Sequence, residues 1–290
     1  EVFIDSNFDS KGSITIGELL IPGEQSEEIL ISTYICHPSL GNDNLSGALM
    51  TAFLARELQK KSNLKKSYRI IWVPETIGAI AYAAFNESKL KVINTGMVIT
   101  TVGGPGQFGY KQSFNSSHSI NVIIEEVFNE EKIDFTTYPF DIHGSDERQY
   151  SSIGFRINTA SLTKDKYYEY PYYHTSLDDL SFISAKYIYE SLLLHLKVLE
   201  KLNNEPIYKN NYPNCEIMLS KHNLYEKIGG GILPSKSGLD KLSIILWLLW
   251  LYDGSVGLYE ASERLKIDRD ILLKISKELS DINLLKLVSG

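Results

Sequence analysis

Apolar and polar positions along this chain follow two periods, one near two residues and one near 3.6. Residues 13–20 alternate as a strand does and are stopped by Pro22-Gly23. The opening Glu-Val-Phe-Ile also reads as a strand. Residues 28–36 form a β-branched run that predicts a central strand. Over residues 44–61, Leu45, Ala48, Leu49, Ala52, Phe53, Ala55 and Leu58 recur at helical spacing. A short apolar strand over 68–73 ends in Pro74-Glu75, and a helix is expected over 76–86. A strand over 92–102 is closed by Gly103-Gly104-Pro105-Gly106. Then come a helix over 119–130, a strand over 154–160 and an amphipathic helix over 185–202.

This alternation predicts an α/β fold, a mostly parallel twisted sheet with helices on both faces. In such sheets ligands sit outside the carboxyl ends of the strands. Past Gly229-Gly230-Gly231 the pattern changes. A helix over 239–252 is followed by a short helix over 258–265 and a turn in which Asp268 is a plausible N-cap. A helix over 269–280 and the strand-like "INLLKLVSG" complete a winged-helix outline. The expected domains are residues 1–232 and 233–290.

Composition narrows the setting. The 290 residues are 43% hydrophobic and 22% charged, enough for one large domain and a small one. The net charge of −7 argues against non-specific binding to nucleic acid or anionic membrane. Cys36 and Cys215 are the two cysteines, which fits a reducing, cytoplasmic compartment; Cys36 reads as a core residue. No apolar stretch reaches the ~18–20 residues that span a bilayer, and the longest, 242–252, reads as a buried helix. The chain does not open on Met, so an N-terminal part is expected to lie outside it.

Four stretches place His, Asp or Glu in turns beside apolar segments: "CHPSLGNDNLSG", "VPETIGAIAY", "DIHGSDERQY" and "YPYYHTSLDDL". Two histidines with several carboxylates form a donor set suited to zinc. Each residue also has a plainer reading. Asp43 could cap the following helix, Glu75 could favour a helix N-terminus, and Asp146 could belong to a solvated charged turn. Tyr167, Tyr168, Tyr170, Tyr172 and Tyr173 could line a pocket or pack under a loop.

"NDNLSG" resembles the Asp-Asn-x-Ser-Gly segment of the M28-type zinc aminopeptidases. "PETIG" resembles their Glu-Glu-x-Gly segment, "GSDERQY" their Ser-Asp segment, and "YYHTSLDD" their Tyr-His-Thr segment with a following Asp, in the same order. The whole chain more closely resembles bacterial aminopeptidase-like proteins with a C-terminal winged helix, often encoded near polysaccharide-biosynthesis genes, without their N-terminal portion. The resemblance implies one metal on His37, Asp43 and Asp146, a second on Asp43 and His174, and Glu75 as general base. Thr76 stands where the family has its second Glu, so one or two zinc ions are expected.

The implied function is a metal-dependent hydrolase that cleaves a peptide or amide bond with zinc-activated water. Glu147 is a candidate partner for a substrate ammonium. The alternative is a non-catalytic metal- or ligand-binding protein of polysaccharide biosynthesis. Residues 240–290 hold seven Lys/Arg against eight Asp/Glu, which disfavours nucleic acid and favours a homo-oligomer or protein contact through the winged helix.

Overall fold

The computed structural model describes residues 1–225 and 240–290. Residues 1–16 contain no strand, in contrast to the extended reading of the first residues. They are mostly exposed, and Val2, Phe3, Ile4 and Phe8 have no buried face to occupy.

Among the described residues, seven strands form one sheet: β1 (Gly17–Ile21), β2 (Glu28–Tyr34), β3 (Ser67–Val73), β4 (Thr95–Ile99), β5 (Phe108–Lys111), β6 (Phe135–Tyr138) and β7 (Asn158–Lys164). Their order is β1-β3-β2-β4-β7-β5-β6. The centre, β3-β2-β4-β7, is parallel, while β1 on β3 and β5 on β7 are antiparallel. The expected mostly parallel sheet is present. The expected strand over 154–160 falls instead at Asn158–Lys164, because residues 151–155 turn before the chain enters the sheet.

Alternation along the central strands assigns the two faces. Ile29, Ile31, Ile70, Met97 and Ile99 point into one core, while Leu30, Ile71 and Val98 point into the other. The first face is covered by α1 (Gly47–Gln59), then, beyond α2 (Ile77–Phe85) and α3 (Glu87–Leu90), by α4 (Ser119–Glu130) and, after α5 (Glu147–Tyr150), by α6 (Ala185–Asn204). α1 contributes Met50, Leu54 and Leu58 at one-turn spacing, and each such buried side chain stabilises the fold by ~1.5–3 kcal/mol. Ala79, Tyr82, Leu90 and Tyr150 from α2, α3 and α5 cover the second face.

A smaller unit follows. β8 (Ile207–Asn210), β9 (Asp253–Gly257) and β10 (Leu285–Ser289) form an antiparallel sheet in the order β10-β8-β9. α7 (Lys241–Leu251), α8 (Leu258–Leu265) and α9 (Arg269–Asp281) pack with it around Leu248, Tyr252, Leu272 and Leu279. Asp268 caps α9, as expected, by accepting the Asp270 N–H at 2.8 Å. The expected boundary at 232/233, Gly229-Gly230-Gly231 and the start of the helix expected from 239 lie outside the described residues. No helix among the described residues is long and apolar enough to cross a membrane.

Candidate metal centre

β2 and β3 run parallel with Tyr34 opposite Val73, so the chain leaves both strands at one level. His37 lies just beyond β2 and Glu75 just beyond β3. Pro38 follows His37 and disfavours helical backbone there, and Ser39 turns the chain at φ 67°.

The loop then winds tightly through Gly41–Ser46, with a cis peptide between Asp43 and Asn44. Asp43 sits inside this turn and caps nothing. Two asparagines brace it. Asn44 donates to Thr33 Oγ1 at 2.9 Å and to the Tyr34 carbonyl at 3.0 Å, and accepts the Thr101 N–H at 3.2 Å. Asn42 accepts the Gly103 N–H at 2.8 Å. Gly47 permits this packing, because a Cβ there would lie 2.3 Å from Asn44 Oδ1.

Asp43 is fully buried. Its Oδ1 accepts a hydrogen bond from the Tyr34 hydroxyl, which is bonded in turn to Thr100 Oγ1 at 2.6 Å. Its Oδ2 receives no hydrogen bond, although His174 Nε2 lies 3.0 Å away and His37 Nε2 3.9 Å away. Two donors on one tetrahedral zinc at 2.0–2.1 Å stand roughly 3.3 Å apart, and these separations straddle that value. Donor atoms of His37, Asp43 and His174 all lie within 4.8 Å of one another. A buried carboxylate oxygen facing two imidazole nitrogens, with no donor directed at it, fits a cation.

Glu75 Oε2 lies 3.8 Å from His37 Nε2, while its Oε1 accepts the Ser145 hydroxyl at 2.7 Å. His174 sits at φ 55° in the loop after β7 and stacks on Tyr173 with ring centroids 3.9 Å apart.

The family described as "Domain of unknown function (DUF4910)" matches residues 8–205, and a winged helix-turn-helix family matches 206–287. The chain belongs to the DUF4910 family. This DUF4910 chain is 38% identical over 288 residues to a Clostridium acetobutylicum protein named "Putative polysaccharide biosynthesis protein with aminopeptidase-like domain". The match covers 99% of the chain and 65% of that relative's length. Among solved structures it is similar to a putative peptidase from Clostridium acetobutylicum, with 34% identity and TM-score 0.66, over 94% of this chain and 60% of that one. BSAP, a zinc aminopeptidase from Bacillus subtilis, shares the fold at 19% identity and TM-score 0.55, over 64% of this chain and 49% of its own. The expected resemblance to aminopeptidase-like proteins carrying a C-terminal winged helix therefore holds.

The other expected site residues take different positions in this DUF4910 chain. Asp146 joins neither described group of three donors within 4.8 Å. Its Oδ1 accepts the Thr76 N–H at 2.8 Å, and its Oδ2 is buried without a hydrogen-bond partner. Burial, then the charges of Glu75 and Glu147, push its carboxyl up to about 7. Glu147 is buried against Lys111 Nζ at 3.1 Å and accepts the Ser145 N–H. Its charge is matched by Lys111 and its side chain is buried, in contrast to the open carboxylate that the candidate role as a substrate-ammonium partner requires.

Cys36 is exposed, because β2 ends at Tyr34 and the cysteine lies in the loop beyond it. Of the loop tyrosines, Tyr167 and Tyr170 are buried while Tyr168 and Tyr172 are exposed.

Sequence reasoning gave no role to Asp178, Tyr34 or Ser145. Asp178 is buried and accepts the N–H groups of Asn42 at 2.6 Å and Asp43 at 3.0 Å, with the Tyr170 hydroxyl at 2.9 Å. The doubled Asp178-Asp179 after His174 and the Ser-Asp segment at Ser145-Asp146 were the available signals; Tyr34 carried none.

Proposed function

We propose that this protein is a metal-dependent hydrolase of the aminopeptidase type that cleaves a peptide or amide bond with Glu75 as general base. The convergence of His37, Asp43 and His174 around an unsatisfied buried oxygen of Asp43 carries this reading. These three residues would hold the ion, and Asp146, whose Oδ2 is buried without a hydrogen-bond partner, is a further ligand candidate. Zinc in such a set polarises a carbonyl and lowers the pKa of a bound water to about 7.

The chain's own residues supply the rest. Tyr34 and Asp178 fix the Asp43 carboxylate and backbone, so that Oδ2 faces both imidazoles. Ser145 engages one oxygen of Glu75 and leaves the other beside His37 to take a proton and pass it to the leaving amine. A cavity of about 470 Å³ beside His37, lined by Ile35, Leu40, Leu45, Ala48 and Leu180, would accept an apolar group flanking the amide. The relative is named for polysaccharide biosynthesis, and we extend the proposed substrates to an amide on an amino-sugar or aminoacylated precursor.

The test is hydrolysis of a panel of aminoacyl amides and acylated amino-sugars by zinc-loaded protein. Glu75→Gln should lower turnover by about 10²–10⁴-fold while metal stays bound. A panel left intact by the zinc-loaded wild type contradicts the reading.

Thr76 favours a second reading, a non-catalytic binding protein, because that position supplies a backbone N–H where a second carboxylate is expected. Ligand binding that is unchanged in Glu75→Gln, with no turnover by wild type, would establish it.

For the winged unit we propose a contact role rather than DNA reading. Arg269, at the start of α9, is held by Glu126 of α4 at 2.7 Å and lies over the Tyr259 ring at 4.2 Å.

A further inference from the structure

Among groups that the proposed chemistry leaves unused, Cys36 lies beside the candidate ligands. Its Sγ accepts the backbone N–H of Glu75 at 3.1 Å and lies 3.4 Å from His37 Nδ1. One sulfur therefore touches both loops that leave the paired ends of β2 and β3. Among the described residues, His37 Nδ1 has no other hydrogen-bond partner. An imidazole that offers Nε2 to a metal keeps its proton on Nδ1, and that N–H needs an acceptor to fix the ring. His37 Nε2 faces Asp43 and Glu75, which makes Nδ1–H the donor and the sulfur the acceptor.

We propose that Cys36 is a positioning residue of the metal centre: its sulfur fixes the tautomer and orientation of His37 and ties the backbone of Glu75 to the same point. The inference rests on the metal reading of this site. Alanine at position 36 leaves both N–H groups without their sulfur acceptor. Serine restores an acceptor on a shorter arm. Cys36, His37 and Glu75 also have donor atoms within 4.8 Å of one another, so direct ligation by the sulfur is the competing arrangement.

The experiment compares wild type, Cys36→Ala, Cys36→Ser and Cys215→Ser. Zinc dissociation constants are measured by competition with a chromophoric chelator, and near-ultraviolet spectra are recorded after cobalt(II) loading. Cys36→Ala should bind zinc about 10–100-fold more weakly. Cys36→Ser should recover most of that loss, and Cys215→Ser should match wild type. The cobalt protein should lack a sulfur-to-metal charge-transfer band, since the sulfur stands behind the imidazole. Equal zinc affinity in Cys36→Ala overturns the inference. A charge-transfer band lost in Cys36→Ala also overturns it and makes Cys36 a ligand. A wild type that takes up no zinc fails earlier, contradicting the metal reading itself.

Discussion

The backbone N–H of Thr76 donates to Oδ1 of Asp146 at 2.8 Å, so the residue at position 76 serves the site through its main chain. Thr76 lies at φ 62°, ψ −69°, and the Ile77 N–H closes onto the Glu75 carbonyl at 2.7 Å. This is a γ-turn, whose strain is of order 1–3 kcal/mol. Thr76→Glu keeps the turn and adds a carboxylate. We expect zinc per chain, measured by elemental analysis, to rise from one ion to two. An unchanged ratio would show that position 76 does not limit the count.

Asp178 holds two backbone N–H groups of the turn that carries Asp43 on its two oxygens. In Asp178→Asn one oxygen becomes an NH₂ group that faces a buried N–H. Denaturant unfolding should report a loss of about 2–3 kcal/mol, with zinc affinity at least about 10-fold weaker. A variant that is less stable but binds zinc as wild type does would restrict Asp178 to a folding role.

Gly47→Ala drives a Cβ to within 2.3 Å of Asn44 Oδ1. Asn44 ties the turn to Thr33, Tyr34 and Thr101, so its displacement should cost on the order of 2 kcal/mol or more. Thermal unfolding of chelator-treated protein measures this apart from metal binding. A melting temperature equal to wild type would contradict it.

Asp146 sets a pH dependence in chelator-treated protein. Burial first, then Glu75 and Glu147, raise its carboxyl from 3.8 to about 7. The folded chain therefore binds the proton more tightly than the unfolded chain. The stability that this contributes is complete below about 3.8 and is lost as pH rises through about 7. Asp146→Asn removes the titration. Its stability relative to wild type should climb between pH 4 and 7, read from urea unfolding at each pH, and a constant difference would contradict the assignment.

His195 sets the opposite trend. Burial lowers its imidazole to about 4, with Nδ1–H donated to the Ser191 carbonyl at 2.7 Å. Its contribution is present above the unfolded value near 6.5 and is lost as pH falls through about 4. His195→Met should flatten the acid side of the stability profile by up to about 1.4 kcal/mol per pH unit between those values. An unaltered slope would show that His195 is not neutral in the fold.

The central sheet was legible because Ile29, Leu30 and Ile31 are apolar toward both faces, a pattern that only a doubly covered strand sustains. β5, β6, β8 and β9 were not legible. Each is four or five residues long, and Phe108–Lys111 and Asp253–Gly257 carry glycine or charge that masks alternation. His37 and Glu75 could be singled out because ligands follow strand ends in such sheets, whereas Asp43 and His174 stood out only through the motifs that resemble the aminopeptidases. Their supports could not: Tyr34 looks like strand filling, and Cys36 looks like core until β2 is seen to stop two residues before it. Asp146 was read as a ligand from its motif, but only the fold reveals that the Thr76 backbone holds one of its oxygens.

The most direct measurement is bound zinc per chain after zinc loading and removal of free metal, for wild type beside Asp43→Ala. One tightly held zinc is expected in wild type and none in the variant. Wild type that holds no zinc, or a variant that holds as much as wild type, would contradict it.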